Sequence, residues 1–424
     1  GSSAAHQARD NVFIGCCAGN AATFAHNSIM MGACAGKDVT EGGYNIFFGD
    51  RAGCSITTGS HNFFLGYLTG MNYTGSASRN IAIGKMAGRS ATQGNNNIII
   101  GEDIMGDGGA SAGSNIMIGK KVAGADVCRT TGSSANIFMG QYAAFNHTSA
   151  GCNVVFGAQA GYNLVSGQCN IILGLNAARC GSLSGNDNIL LGAGSGCNLS
   201  SGSNNVAIGN KALSLETVTG SENVMIGFCA GKCTCSGDKN VFIGHYAGRC
   251  HKNNDKNVAI GPNAMSNGRG AGNVALGNYA LGGNHTGSNN FIGGYHAGVN
   301  MKCGSSCNIL LGGKAGTCLL CGNHNFIVGC CVNVPDGNGD CQLAFGVGSC
   351  HWITGDANFN IGIGTNRHDT VVGSAITAKL SVGIVSAYKL YGDGSNLTGI
   401  SAGGFESDAD ENLVAGTCSG CNLD

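Results

Sequence analysis

Cysteine and histidine are the first residues in this chain that could do chemistry: 23 cysteines and 11 histidines in 424 residues. Cys303-x3-Cys307 with Cys318-x2-Cys321, and Cys233-Thr-Cys235 with Cys250-His251, have spacings that could converge on zinc. Thiols stacked at like register, such as Cys233 and Cys250, meet without any metal, and no metal is expected. The remaining cysteines scatter over many positions instead of forming a small fixed framework, so a disulfide-stapled secreted domain is not indicated. A glycine- and alanine-rich fold can bury free cysteine as a small apolar filler, and that role is preferred here over bridges between neighbouring coils. Gly192-Ala-Gly194-Ser-Gly196 has the opening of a dinucleotide loop, yet 76 glycines produce such spacings by chance and no helical pattern follows. No Ser, His and acid group and no carboxylate pair recurs at a common register. Calcium-binding roll repeats need a periodic Asp after glycine, which is missing. The expectation is therefore no enzyme, no catalytic residue and no cofactor. The sequons Asn72-Tyr-Thr74 and Asn284-His-Thr286 follow from the Asn, Ser and Thr content alone.

Composition narrows the partners. Charged residues make up 11% and the formal net charge is -1, so the electrostatic footprint of a nucleic-acid or anionic-membrane binder is not visible. No apolar run reaches the ~20 residues of a membrane helix, and no membrane insertion is expected. Glycine without proline, 76 against 2, excludes collagen. The opening Gly1-Ser-Ser-Ala-Ala lacks the build of a signal peptide. With no initiator Met, the chain reads as a processed product or a piece of something longer.

The elements that would position any site follow from a repeat. The frame Asn-x-x-x-Gly returns 21 times, with its glycine at 15, 32, 49, 66 and onward to 364, at intervals that are nearly all 17 or 18 residues. Four positions before each glycine stands Asn in 19 of the 21 repeats, Ser28 and Gln342 being the exceptions. A period this short and strict predicts an all-β parallel β-solenoid, or β-roll, of about 21 coils, and length then measures a rod. Asn11, Asn45, Asn62, Asn80, Asn97, Asn153, Asn240 and Asn360 are expected to form a structural ladder, because a side-chain amide both donates and accepts and Asn tolerates the left-handed conformation of a corner. Positions minus 3 and minus 1, such as Ile46 and Phe48 or Val241 and Ile243, are apolar with a spacing of two and predict a strand with that face inward. Ala follows three residues after the glycine in 15 repeats, which implies a thin coil. Variable polar segments complete each turn.

The residue between the two expected core positions should then face outward, yet it too is apolar. Phe13, Phe47, Phe64, Met117, Phe138, Met225 and Phe242 occupy it in some repeats. An apolar stripe as long as the rod exceeds what a lone soluble chain exposes. These residues are accordingly expected to form a subunit interface in a self-associated assembly.

Asn80-Ile-Ala-Ile-Gly84, Asn205-Val-Ala-Ile-Gly209 and Asn257-Val-Ala-Ile-Gly261 resemble the head repeat of trimeric autotransporter adhesins, in which three β-rolls pack side by side. The resemblance covers residues ~11 to 364 and implies a side-by-side homotrimer with an adhesive role; the period here is longer than that family's usual one. Residues 1–364 are read as the repeat array and 365–411 as a strand-rich connector. Within the connector, Gly392-Asp-Gly-Ser-Asn-Leu-Thr-Gly-Ile400 resembles a short element of bacteriophage tail-fibre proteins. Asn412-Leu-Val-Ala-Gly416 restarts the frame, so 412–424 is read as the start of a further, incomplete coil. Open solenoid ends expose backbone edges, which predicts a part of a longer fibre or end-to-end docking. The function expected is a structural fibre shaft or adhesin of a virion, meeting an unidentified host receptor, with a virion or extracellular location. A bacterial surface adhesin or extracellular filament is the alternative.

Overall fold

The computed structural model describes residues 8–89, 94–104, 113–124, 134–283, 286–358 and 360–364, together with 380–382, 405–407 and 413–415. Its strands run from β1 (Val12–Ile14) to β20 (Leu343–Val347), one per repeat, most of them three residues long. Each pairs in parallel with the next in unbroken order, and equivalent positions stack: Ile46 on Phe63, Phe47 on Phe64, Phe48 on Leu65. The result is the expected parallel β-solenoid, with a 17-residue period and about 18 turns.

The strands are short because each is bracketed by backbone that cannot extend. Five residues before every repeat glycine the chain is left-handed, from Asp10 (φ 56°) through Tyr44, Arg79 and Glu222 to Cys341 (φ 55°). From Gly15 to Gly329 the repeat glycine itself sits at φ between 123° and 144°, a region open in practice to glycine alone. A Cβ on Gly49 would collide with the carbonyl oxygen of Gly66 on the next rung, so the glycine column also allows the close approach of successive coils. The left-handed residue is thus the one before the ladder Asn, and not Asn itself as the corner argument held. Its side chain varies freely, so the stacked backbone imposes the conformation.

The inward face is the reverse of the one expected. The residue two before the repeat glycine is buried from β2 to β20: Met30, Phe47, Phe64, Phe138, Met225 and Phe242 are all 0% exposed. Its neighbours on either side face out. The cause lies across the coil, four residues after the glycine, where the chain is again left-handed. A Cβ on Gly53 would run into the Phe47 ring, on Gly70 into Phe64 and on Gly248 into Phe242. Large middle residues therefore share their coil with glycine or alanine at that position, as in Leu190 with Gly196 and Phe138 with Ala144, whereas the small middle residues Ala207, Ala259 and Ala275 accompany Leu213, Met265 and Leu281, which are fully buried in their place. Small side chains three residues after the glycine, among them Ala35, Ala52, Ala230 and Ala247, are fully buried and keep the coil thin as expected. Ile56, Tyr73, Leu164 and Leu199 close the third side of the core.

Parallel winding ends at β20. The next strands, β21 (Cys350–Gly355) and β22 (Ile361–Ile363), pair antiparallel, β21 with β20 and β22 with β21. The expected coil at Asn360-Ile-Gly-Ile-Gly364 is therefore a hairpin strand, and the edge of β20 is covered. Beyond it stand β23 (Leu380–Val382), β24 (Phe405–Ser407) and β25 (Leu413–Ala415). β25 pairs antiparallel with β24; Asn412, Gly416 and the rest of the restarted frame lie outside the described residues. The rest of the connector, including 392–400, lies outside the described residues. By contacts the chain divides into Gly1–Ser381 and Val382–Asp424.

Candidate assembly surface

The ladder is built as its residue type requires. Asn62 donates both its backbone N–H (3.0 Å) and its side-chain amide (3.1 Å) to Oδ1 of Asn45, and donates a second amide hydrogen to the carbonyl of Ala77 on the next rung (2.9 Å). Asn80, Asn97, Asn153 and Asn240 repeat the pattern of donation to the Asn of the rung before. From Asn45 to Asn290 each ladder amide oxygen thus takes two donors inside a buried column, which satisfies groups that would otherwise cost stability. Asn11 begins the column by accepting from the Ser28 backbone, and Ser28 Oγ accepts from the Asn45 N–H. Gln342 ends it at Asn325. Asn360 is outside: it donates to Asp356 in a local turn, four residues away, so its frame carries no ladder contact.

A second ladder was missed in the sequence. Six residues before the glycine, Gly43 N–H donates to Ser60 Oγ, Ser60 N–H to Ser78 Oγ and Ser78 N–H to Asn95 Oδ1. Further on, Asn186, Ser203, Ser221, Asp238 and Asp255 continue it rung by rung. Each member needs only an oxygen acceptor, so Ser, Asn and Asp interchange and no single letter repeats. Recurrence of that class at one register was the available signal.

Six of the seven residues expected at a subunit interface are buried within the protomer instead. Phe47, Phe64, Met117, Phe138, Met225 and Phe242 lie in the protomer's own core, and only Phe13 is 36% exposed, on β1, which pairs with β2 (Ile29–Met31). An apolar stripe does reach solvent, one residue to either side. Ile46, Phe48, Ile81, Ile171, Ile309 and Phe326 are each 38–47% exposed, and their counterparts on other rungs are half-buried. Stacked strands at ~4.8 Å over this many rungs give a face ~90 Å tall and two side chains wide, on the order of 1,000 Å². That is well above the few hundred Å² of apolar surface typical of a monomer's patches.

The other candidates resolve simply. Gly194 and Gly196 are left-handed turn residues of an ordinary coil with no helix after them. Cys303 and Cys321, two of the cysteines whose spacing could have converged on zinc, are joined by a disulfide. Among the described residues no group of three His, Cys, Asp or Glu side chains converges on a metal position, and no helix is long and apolar enough to cross a membrane. His147 is buried edge-on to Phe138 (5.2 Å) with Nε2 3.0 Å from the Ala150 carbonyl, and burial pushes its pKa down. The class defined by this geometry is a parallel β-solenoid with one apolar sheet face in solvent. Comparison with protein-family models, curated protein sequences and solved structures gives no match.

Proposed function

We propose that the chain is the shaft of a fibre in which three copies lie side by side, their apolar sheet faces turned to a common axis, and that the fibre serves attachment of a virion to a host surface. The observation that carries the self-association is the column of Ile, Val, Leu, Phe and Met, exposed or half-buried, on both sides of the buried strand residue, broken by glycine at Gly293. A cyclic arrangement covers one such face per copy with no open end, and the area available suits a stable interface of about 800 Å² or more per partner. Stacked hydrogen-bonded strands and a buried amide column supply the stiffness a shaft needs. The number three rests on the likeness of Asn80-Ile-Ala-Ile-Gly84 and its equivalents to the trimeric adhesin heads, and the virion on the likeness of residues 392–400 to tail-fibre elements. Antibodies raised to the chain and applied to purified particles test the assignment by electron microscopy. Label on projecting fibres of the particle is expected; label confined to a cell surface would transfer the protein to the adhesins.

A further inference from the structure

In a parallel solenoid a cysteine meets a cysteine of the next coil only when the two share a register, one period apart. Cys303 and Cys321 do so, nine residues after Gly294 and Gly312, and they are bonded across a Cα–Cα distance of 5.1 Å. Four more pairs are placed the same way. Cys17 and Cys34 each stand two residues after a repeat glycine, Cys152 and Cys169 five before one, and Cys233 and Cys250 six after one; Cys180 and Cys197 are also 17 residues apart. Cysteine is 23 of 424 residues, so about one of the twenty described cysteines would meet another on the next coil by chance, against the five pairs seen.

Backbone geometry holds these partners together. Cys152 and Cys169 are both left-handed (φ 59° and 56°), as are Cys17 and Cys34 (φ 58° and 55°), so within each pair the Cβ atoms point the same way. The Cys169 N–H donates to the carbonyl of Gly151, and the Cys34 N–H to that of Cys16, in each case the residue before the partner. Cys180 N–H donates directly to the Cys197 carbonyl at 2.7 Å. Cα atoms one rung apart fall within the 4.4–6.8 Å that a disulfide spans, close to its lower edge. Lateral displacement of one coil against the next is already prevented by the ladder.

We propose that Cys17–Cys34, Cys152–Cys169, Cys180–Cys197 and Cys233–Cys250 are disulfide sites which, with Cys303–Cys321, staple successive coils of the shaft together in an oxidising compartment. At each site two S–H bonds break and one S–S bond forms; the two electrons and two protons pass to an external small-molecule disulfide, which is released as two thiols. The reaction runs through the thiolate. Burial raises the pKa of Cys169 and Cys233, and that of Cys197 to about 11, so bridging at neutral pH is slow and accelerates in mild alkali.

The test uses the full chain, oxidised with glutathione disulfide at about pH 8.5, unfolded, alkylated and digested without reduction by proteases that cut between the partners. Mass spectrometry is expected to find the five register pairs as linked peptides, each two hydrogens lighter than its reduced form, and Cys341 and Cys350 alkylated. In Cys169→Ser, Cys152 is expected to become alkylated without acquiring a new partner. Alkylation at both members of the four proposed pairs, or links that join cysteines of unlike register, would overturn the proposal.

Discussion

The two faces of one strand carry nearly the same residue types and do opposite work. Phe47 and Phe48 are neighbours of identical chemistry, yet the first is sealed at 0% exposure against the glycine at 53 while the second is 47% exposed. What separates them is the partner across the coil: a left-handed small residue receives the middle side chain, and nothing in the protomer receives the flanking ones. Apolarity alone therefore does not locate a core in a thin solenoid.

Substitutions at four positions break or sharpen that contrast. The largest effect is expected inside: Phe64→Asp removes a buried ring and buries a carboxylate, costing about 5 kcal/mol or more and abolishing β-type circular dichroism at mid-range denaturant, whereas Phe48→Asp should leave the fold near wild type, within about 1 kcal/mol. Next comes the ladder. Asn188→Leu strands two donors of Asn205 and the Gly202 carbonyl and leaves Asn170 Oδ1 one donor short. About 3 kcal/mol should be lost in urea unfolding, and a much smaller loss in Asn188→Ser, which copies the hydroxyl that Ser28 already supplies. The smallest is a pH effect at His147. Its folded pKa lies below the ordinary value of 6.5, so its neutral form contributes stability that is whole above that pH and is lost as pH falls below it. Unfolding midpoints should drop between pH 7 and 5, and the drop should shrink in His147→Leu.

Period, strand position and amide column were legible because they rest on single letters, Asn and Gly, whose conformational and hydrogen-bonding abilities few residues share. The inward face was not read correctly, because a triplet such as Ile98-Ile-Ile100 carries no alternation. The compensation between position minus 2 and position plus 4, Phe242 with Gly248 against Ala259 with Met265, was present in the same letters and settles the face. Asn360 shows the opposite hazard: its frame is intact, but Asp356 captures its amide locally and the chain turns back instead of climbing. The outer Ser, Asn and Asp ladder escaped notice because its role needs only an acceptor oxygen, so its letters vary.

The assembly claim is tested most directly by sedimentation equilibrium of the full chain beside a variant carrying Ile81→Asp, Ile171→Asp and Ile309→Asp, three exposed positions well apart on the same face. The unmodified chain is expected at three times its 42.5 kDa, and the variant at 42.5 kDa with its β-type circular dichroism intact. A mass of 42.5 kDa for the unmodified chain, with those side chains left in water, would contradict it.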